Sequence, residues 1–544
     1  MSHCPTAGTL PRKEDLVDLT ALTASYYALR PDPHNQDQAI KFGTSGHRGT
    51  SFDRTFNEDH ILAVTQAVCD VRKAAGISGP LFLGKDTHAL SEPAFSTALE
   101  VLAANGVQTM VQPGQGFTPT PAVSQAILSW NRDRSSGQAD GIIITPSHNP
   151  PEAGGFKYNP PNGGPADTAL TGKIQARANE LLAAGNAAVL RMSLSKAANS
   201  GLIVEYDYIA DYIENLKDVI DFNVITGSGL KLGVNPLGGA SLPYWEPLAD
   251  MYGLNLTITN PEFDPAFSFV PLDHDGKIRM DCSSPWAMHS LLDMKNDFDL
   301  AFACDPDSDR HGIVTPQGLL NPNHYLSAAA HFLFGNRPGW PVKAALGKTT
   351  VTTALLDRIA ADFGRPLLEM PVGFKWFVSG LFDGTCAIGC EESAGASFLR
   401  HNGGPWSTDK DGILLCLLAV EMTARSGKNP AEYYAGLTAK YGQPIYKRLD
   451  FPLSGPERTA MLKIDPAQIK ISSLAGSPVL HVQNRAPGNG ESLGGIKVIS
   501  NDGWFAIRPS GTEPICKLYM ESLADEKHFE RLQTEALAFA EAIK

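Results

Sequence analysis

The stretch GIIITPSHNPPEAGGFKYNP, Gly141 to Pro160, carries an apolar run into Ser147 and fences that serine with Pro146, Pro150 and Pro151. A serine at the carboxyl end of a buried strand stands where open α/β sheets place their ligands. Prolines on both sides remove backbone donors and narrow the turn, which holds the hydroxyl in one place. The same stretch also suits a plain helix-capping serine. It does not suit an acyl-transfer nucleophile: the Gly-x-Ser-x-Gly elbow is absent, with Thr145 and Asn149 at the flanking positions. Phosphoryl chemistry on the hydroxyl stays open.

A second cluster, DLAFACDPDSDRHGIV (Asp299 to Val314), ends an apolar strand in Asp305, Asp307 and Asp309. That alternation can turn three carboxylates toward one hard cation. An EF-hand is excluded, because the positions that need glycine and glutamate hold Arg310 and Pro316. Three oxygen ligands at a strand end, with room left for a substrate or phosphate oxygen, suit Mg²⁺ better than a closed calcium cage. A solvated acidic turn is the plainer alternative, but three like charges so close repel unless something neutralises them. Arg310 is placed to help hold an anion beside the metal.

Two further loops carry weaker signals. In GCEESAGASF (Gly389 to Phe398) the period of an extended chain puts Glu391 and Ser393 on one side, able to exchange hydrogen bonds with adjacent sugar hydroxyls. In RPSGTEP (Arg508 to Pro514), Arg508, Ser510, Thr512 and the backbone around Gly511 make a concave nest for a phosphate dianion. A capped turn explains the same residues. Other phosphate motifs fail: Val342 replaces the first glycine of a P-loop ending at Gly347-Lys348-Thr349, and Pro119 replaces the last glycine of a dinucleotide fingerprint at Gly114.

The elements that position these loops read as strand-and-helix units. Leu81-Phe82-Leu83 precedes a turn at Gly84-Lys85-Asp86, Phe95, Leu99, Leu102 and Ala103 share a helix face, and a strand follows at Val107 to Val111. Strand, helix, strand implies a parallel pair with a crossover, hence an α/β sheet. Similar starts at Leu232-Gly233-Val234-Asn235 and Leu346-Gly347-Lys348-Thr349 suggest three related domains in tandem. The end of the chain differs. A hairpin at Ile496 to Ile507 with Asn501-Asp502-Gly503 as its turn, a strand at Cys516 to Met520 and a helix with Phe529, Leu532, Ala536, Phe539 and Ile543 on one face read as an α+β domain. The loop Ala486 to Gly490 is expected to set it off.

The bulk of the chain sets limits. Its 544 residues exceed one core, so about three or four domains are expected. With 43% hydrophobic and 19% charged residues it is an ordinary globular chain, and a net charge of −13 argues against nucleic acid or an anionic membrane as partner. The eight scattered cysteines lack zinc spacing, and there is neither an apolar leader nor an apolar run of membrane length. A soluble, cytoplasmic protein with reduced thiols is expected.

In sequence order GTSGHRG (Gly43 to Gly49), TPSHNP (Thr145 to Pro150), DPDSDR (Asp305 to Arg310), CEESAG (Cys390 to Gly395) and RPSGTEP resemble the α-D-phosphohexomutase superfamily, and within it the bacterial-type phosphoglucomutases. The motifs span nearly the whole chain. The resemblance implies α/β architecture, three related mixed α/β domains plus a C-terminal α+β domain around a central cleft, with expected limits 1–200, 201–320, 321–440 and 441–544. It makes Ser147 the phosphoserine, Asp305, Asp307 and Asp309 the Mg²⁺ ligands with Ser147 as a further one, and Arg508, Ser510, Gly511 and Thr512 the site of the phosphate not in transfer. It makes Glu391 and Ser393 the sugar readers, Lys157 a proton-transfer group, Arg48, Arg310 and Lys410 cations of the cleft, and Gly373 a substrate-side residue.

The implied activity is interconversion of glucose 1-phosphate and glucose 6-phosphate through a bound glucose 1,6-bisphosphate, which also serves as activator. The partners are then small sugar phosphates, and the chain a monomer or homodimer. Gly154 and Gly155 are expected to bend the chain so that Lys157 reaches back to Ser147. Pro146, Pro306 and Ser308 depart from residues common in the family, and Ala396 stands where some members have histidine, which leaves a second proton-transfer group open. A mutase for mannose or glucosamine phosphates, an inactive sugar-phosphate-binding scaffold and a Mg²⁺-dependent phosphatase are the rival readings.

Overall fold

Three of the four sheets are built on one plan in the computed structural model, which describes residues 4–43, 46–510 and 515–542. The first contains β1 (Phe42–Gly43), β2 (Gly46–Thr50), β3 (Leu81–Lys85), β4 (Thr109–Val111), β5 (Asp140–Ile144), β6 (Ala153–Asn159) and β7 (Ile203–Glu205), in the order β1-β2-β6-β5-β3-β4-β7. The second contains β8 (Leu232–Asn235), β9 (Leu256–Ile258), β10 (Leu300–Cys304), β11 (His311–Thr315) and β12 (Gly318–Leu319), in the order β12-β11-β10-β8-β9. The third contains β13 (Ala345–Thr349), β14 (Leu367–Met370), β15 (Cys386–Glu391) and β16 (Gly395–Phe398), in the order β14-β13-β15-β16.

The shared plan is a parallel trio, β5-β3-β4, β10-β8-β9 and β15-β13-β14, flanked in each case by the antiparallel strand that comes next in the chain: β6, β11 or β16. The Leu-Gly starts that suggested a repeat are β3, β8 and β13, the middle strand of each trio. Their glycines have a common cause. A Cβ on Gly84, Gly233 or Gly347 would come within 2.8, 2.7 and 2.8 Å of Val123, Phe298 and Phe377, so each marks where another segment lies directly on the sheet.

One apolar core runs through all three units, from Phe82 and Ile143 through Val234 and Phe302 to Leu346, Ile388 and the helix Gly412–Ser426. The outer faces of the first two sheets have cores of their own. A helix buried on nearly every side, as Gly412–Ser426 is, acts as a central pillar.

The fourth sheet is antiparallel and separate. It contains β17 (Ile445–Pro452), β18 (Ser473–Leu474), β19 (Ser477–Arg485), β20 (Ser492–Ser500), β21 (Gly503–Pro509) and β22 (Ile515–Ser522), in the order β17-β22-β21-β20-β19-β18. The helix Glu526–Ala542 closes a core of its own, with Phe529, Leu532 and Ala536 against Phe505 and Leu518; Ile543, expected on that face, lies outside the described residues. The hairpin forms as expected, with Ile499 opposite Trp504.

Strand β7 pairs with β4 in the first sheet. Two expectations are corrected. The loop Ala486 to Gly490 joins β19 to β20 inside the fourth sheet and so separates no domains. Gly154 and Gly155 do not bend the chain, because both lie in β6, opposite Gly49 and Arg48 of β2. They provide clearance: a Cβ on Gly154 would meet the Phe56 ring at 2.4 Å, and one on Gly155 the Thr145 carbonyl oxygen at 2.0 Å.

Candidate active site

The repeated plan brings three loops together, because each follows the equivalent strand of its trio. Ser147 lies between β5 and β6, Asp305, Asp307 and Asp309 between β10 and β11, and Glu391 at the end of β15 before the turn to β16. Each loop contains one non-glycine residue with left-handed backbone: Ser147 (φ 58°), Ser308 (φ 59°) and Ala394 (φ 68°). That conformation costs an L-residue about 1–2 kcal/mol and persists only where surrounding bonds impose it.

Those bonds are visible. The Ser147 N–H donates to Thr145 Oγ1 at 2.8 Å, and the Thr145 N–H donates to the Gly155 carbonyl at 2.9 Å. Loops from different units are stitched together: the His311 N–H reaches the Ala394 carbonyl at 3.1 Å, and the Gly412 N–H reaches the Ser308 carbonyl at 2.9 Å. Thr120 opens the helix Thr120–Asn131, giving its N–H to the Asp307 carbonyl at 2.9 Å and its hydroxyl to Asp307 Oδ2 at 2.6 Å. Sequence reading missed Thr120; only the packing of the first unit on the second reveals it.

Around Ser147 stands a ring of charge. Arg48, on β2, donates from Nη2 to Ser147 Oγ at 3.1 Å and from Nη1 to Asn149 Oδ1 at 3.3 Å. Lys157, on β6, donates to Asp307 Oδ2 at 2.6 Å and Asp309 Oδ2 at 3.2 Å. Lys410 Nζ lies 3.0 Å from Asp309 Oδ2 and 3.9 Å from Glu391 Oε2. A Cβ on Gly395 would sit 2.3 Å from the Lys410 chain, so this glycine leaves room for that lysine. Glu391 Oε1 accepts the Gly373 N–H at 3.0 Å, with Gly373 at φ 126°, a conformation that favours glycine. Gly373 thus acts on the Glu391 loop through its backbone.

The three aspartates are buried, and one oxygen of each lies within 4.8 Å of the others. Asp305 Oδ2, Asp307 Oδ1 and Asp309 Oδ1 are enclosed without a hydrogen-bond partner. Acceptor-only oxygens so placed are costly unless a cation fills the space among them. The residues therefore fit a metal ion, and an all-oxygen set suits a hard one.

Burial and the neighbouring carboxylates Asp307 and Asp309 push the Asp305 carboxyl well above its ordinary range. Burial would do the same to Asp309, but Lys410, Lys157 and Arg310 more than offset it and hold that carboxyl low. Burial alone would lower Lys157; Asp307 and Asp309 reverse the direction, so Lys157 is an ammonium in this arrangement. Arg310 is raised in the same way, its burial outweighed by Asp281 and Asp309. Asp281, 3.7 Å from the Arg310 guanidinium, is a second residue that no motif announced.

Ser393 is half-buried in the turn after β15. Arg508 is the next-to-last residue of β21 and Ser510 follows the strand, on the fourth unit, with the Ser510 N–H on the Ile515 carbonyl at 2.8 Å. Gly511 and Thr512 lie outside the described residues, as do Thr44 and Ser45 of the first motif. The structure thus gathers Ser147, Arg48, Lys157, the aspartates, Arg310, Lys410, Glu391 and Gly373 into one cluster and leaves Arg508 and Ser510 on a separate body.

Family models described as phosphoglucomutase/phosphomannomutase α/β/α domains I, II and III match residues 39–184, 210–318 and 321–441, and the C-terminal domain of the same description matches 475–538. The chain is 53% identical over 98% of its length, and 97% of the relative, to a phosphoglucomutase of Komagataeibacter xylinus. It is 27% identical over 92% of its length, and 99% of the relative, to a phosphoglucomutase/phosphomannomutase of Thermococcus kodakarensis. Among solved structures, the open form of the Paramecium phosphoglucomutase pp63/parafusin shares the fold, with TM-score 0.74 and 20% identity over 94% of this chain and 95% of that one.

Proposed function

This chain belongs to the phosphoglucomutase/phosphomannomutase family, and on that premise we propose that it carries out its reaction through phosphorylated Ser147 in the cluster just described. The activity is that of a phosphoglucomutase, the interconversion of α-D-glucose 1-phosphate and glucose 6-phosphate. The observation that carries the reading is the Ser147 hydroxyl, fixed in a left-handed turn against Arg48, a guanidinium that also feels the charge of the three enclosed carboxylates.

Phosphoserine 147 gives its phosphoryl group to the 6-hydroxyl of bound glucose 1-phosphate. The P–Oγ bond breaks, a P–O6 bond forms, and one proton passes from O6 toward Oγ. We assign the transfer to Lys157: the ammonium on Asp307 and Asp309 gives a proton to the departing Oγ, and the amine left behind takes the proton from O6. The resulting 1,6-bisphosphate turns over in the cleft, its 1-phosphate returns to Ser147, and glucose 6-phosphate leaves. Arg48 and Arg310 hold the oxygens of the group in transfer, and Lys410 holds Asp309 and Glu391 in register. A magnesium ion on Asp305, Asp307 and Asp309, with a phosphate oxygen of Ser147 as further ligand, would supply positive charge to the phosphoryl oxygens.

Glu391 and Ser393 read the sugar hydroxyls in both orientations, and Arg508, Ser510, Gly511 and Thr512 hold whichever phosphate is not reacting. We read four domains, with the first ending near residue 205, after β7, and the last beginning before β17. The cycle draws every group from one chain, so a monomer suffices. Free thiols at all eight cysteines suit the cytoplasm, and among the described residues no helix is long and apolar enough to cross a membrane. Mutases of other sugar specificity and an inactive scaffold are not favoured, given 53% identity to a named phosphoglucomutase.

The test is a coupled assay of glucose 1-phosphate conversion with Mg²⁺ and a trace of glucose 1,6-bisphosphate, on the wild type beside Ser147→Ala. Turnover that collapses in the variant supports the phosphoserine cycle. Undiminished turnover in the variant would overturn it.

A further inference from the structure

Beneath the Ser147 loop lies a buried polar cluster that the mechanism does not use. Asp86 and His88 lie in the turn after β3 and are fully enclosed. Asp86 is saturated with donors. Its Oδ1 accepts the Ser91 hydroxyl at 2.5 Å and the His88 N–H at 3.1 Å, and its Oδ2 lies 2.6 Å from Thr145 Oγ1 and 2.8 Å from His88 Nδ1. The other ring nitrogen, Nε2, is 2.9 Å from the Asn149 carbonyl oxygen.

The proton positions follow from these partners. A backbone carbonyl only accepts, so His88 Nε2 carries a hydrogen. The Thr145 hydroxyl already accepts the Ser147 N–H, so its own proton goes to Asp86. A carboxylate receiving two hydroxyl protons and a backbone N–H is ionised, so His88 Nδ1 also carries a hydrogen. His88 is therefore an imidazolium. Asp86 is the charged group bonded to its ring, and the Phe267 ring packs against it with centroids 4.9 Å apart. The titration balance agrees: burial would lower His88, but Asp86 outweighs it and the pKa is raised.

The two arms reach opposite ends of one short loop. Through Thr145 the pair fixes the Ser147 N–H, and through His88 it fixes Asn149, whose side chain also meets Arg48. We propose that Asp86 and His88 are a positioning pair that clamps residues 145–149 at both ends and so holds Ser147 in its left-handed, transfer-ready conformation. The clamp acts through the loop and touches no substrate. Free of it, the loop relaxes toward right-handed backbone and Oγ swings away from Arg48. The inference rests on Ser147 being the phosphate carrier.

The experiment uses the full chain and the variants His88→Leu, His88→Gln and Ser147→Ala, measured for kcat, KM for glucose 1-phosphate, phosphoserine content by intact mass, and thermal unfolding. His88→Leu removes both donors and should lower kcat by about 10–100-fold with KM within about twofold, the size expected for losing a charge-assisted hydrogen bond in a positioned loop. His88→Gln keeps an amide donor that can reach Asn149 and should recover most of that loss. Wild-type kcat in His88→Leu, or equal losses in both variants that follow the unfolding temperature, would overturn the clamp. Activity surviving in Ser147→Ala would instead overturn the carrier reading. Should His88→Leu not fold, ¹⁵N spectra of histidine-labelled wild type decide: both His88 ring nitrogens protonated near neutral pH supports the pair, and a neutral ring overturns it.

Discussion

Ser147 and Arg508 both stand at the ends of strands, yet the bodies that hold them are joined in different ways. The Ser147 loop is bound on one side to the Asp86–His88 pair and on the other to Gly155, while the helix beginning at Thr120 ties the same unit to Asp307. These first three units also share one apolar core. Arg508 belongs to a sheet with a separate core. That sheet meets the third unit through a small apolar patch of Val351, Trp504, Ala506 and Tyr519, beside enclosed charges. Glu369 accepts from Lys497 at 3.0 Å and lies 3.6 Å from Lys348, and Glu521 accepts from Trp504 Nε1 at 2.8 Å. Phosphoryl transfer tolerates little misplacement, so the groups that perform it are fixed to one another. In the proposed cycle, grip on the idle phosphate only has to follow the substrate, so it can come from a body whose core is its own.

The largest effect expected from breaking this contrast is on the fixed side. Ser147→Ala should cost on the order of 10⁴-fold or more in kcat, read in the coupled assay, because no other group of the cluster can carry the phosphoryl group. Asp307→Asn removes a carboxylate that bonds both Lys157 and Thr120 and faces the metal space. It should cost about 10²–10³-fold in kcat and weaken Mg²⁺ binding in a metal titration.

At the joint, Glu369→Gln leaves Lys497 without its charge partner and should destabilise the contact by about 3 kcal/mol. Calorimetry should then show the C-terminal unit melting ahead of the rest. On the fourth unit, Arg508→Lys should raise KM about tenfold, because a point charge replaces a two-pronged donor, while phosphoserine content by mass stays at the wild-type level.

The smallest effect concerns pH and the clamp. Burial alone would raise Asp86 and lower His88, but each partner reverses the other: Asp86 is held below its unfolded value and His88 above. The depressed carboxylate contributes stability above about pH 4 that is lost as pH falls through its folded value. The raised imidazole contributes stability in full below about pH 6.5, lost as pH rises through its folded value. The stability difference between wild type and His88→Gln, measured by denaturant titration, should therefore be widest between about pH 4 and 6.5 and narrow above.

Much of this was legible in the chain. Leu-Gly starts exposed the threefold repeat because the middle strand of each trio needs a glycine where another segment crosses it. Ser147 and the aspartates could be read because strand-end loops of fixed spacing leave side chains few directions. Thr120, Asp281 and the Asp86–His88 pair could not be read, since each matters through a partner in another element, 187 positions away in the case of Thr120 and Asp307. The glycines at 154 and 155 were misread because a strand that must pass close to Phe56 and Thr145 uses glycine for space, and a sequence does not distinguish that from flexibility. The Pro/Gly-rich loop at 486–490 was misread as a linker because composition marks a turn without saying whether the strands on either side pair.

By itself, then, the sequence determined local facts: which strands end in which reactive side chains, in what order, and that the same supersecondary unit recurs three times. Those follow from short-range sterics and hydrophobic periodicity, which neighbouring residues set alone. Tertiary structure decided which loops meet, which carboxylates lose their water and turn toward a common space, and which histidine stands against a buried carboxylate. Those depend on desolvation and on partners brought together by one shared core, quantities that exist only once the chain has closed on itself.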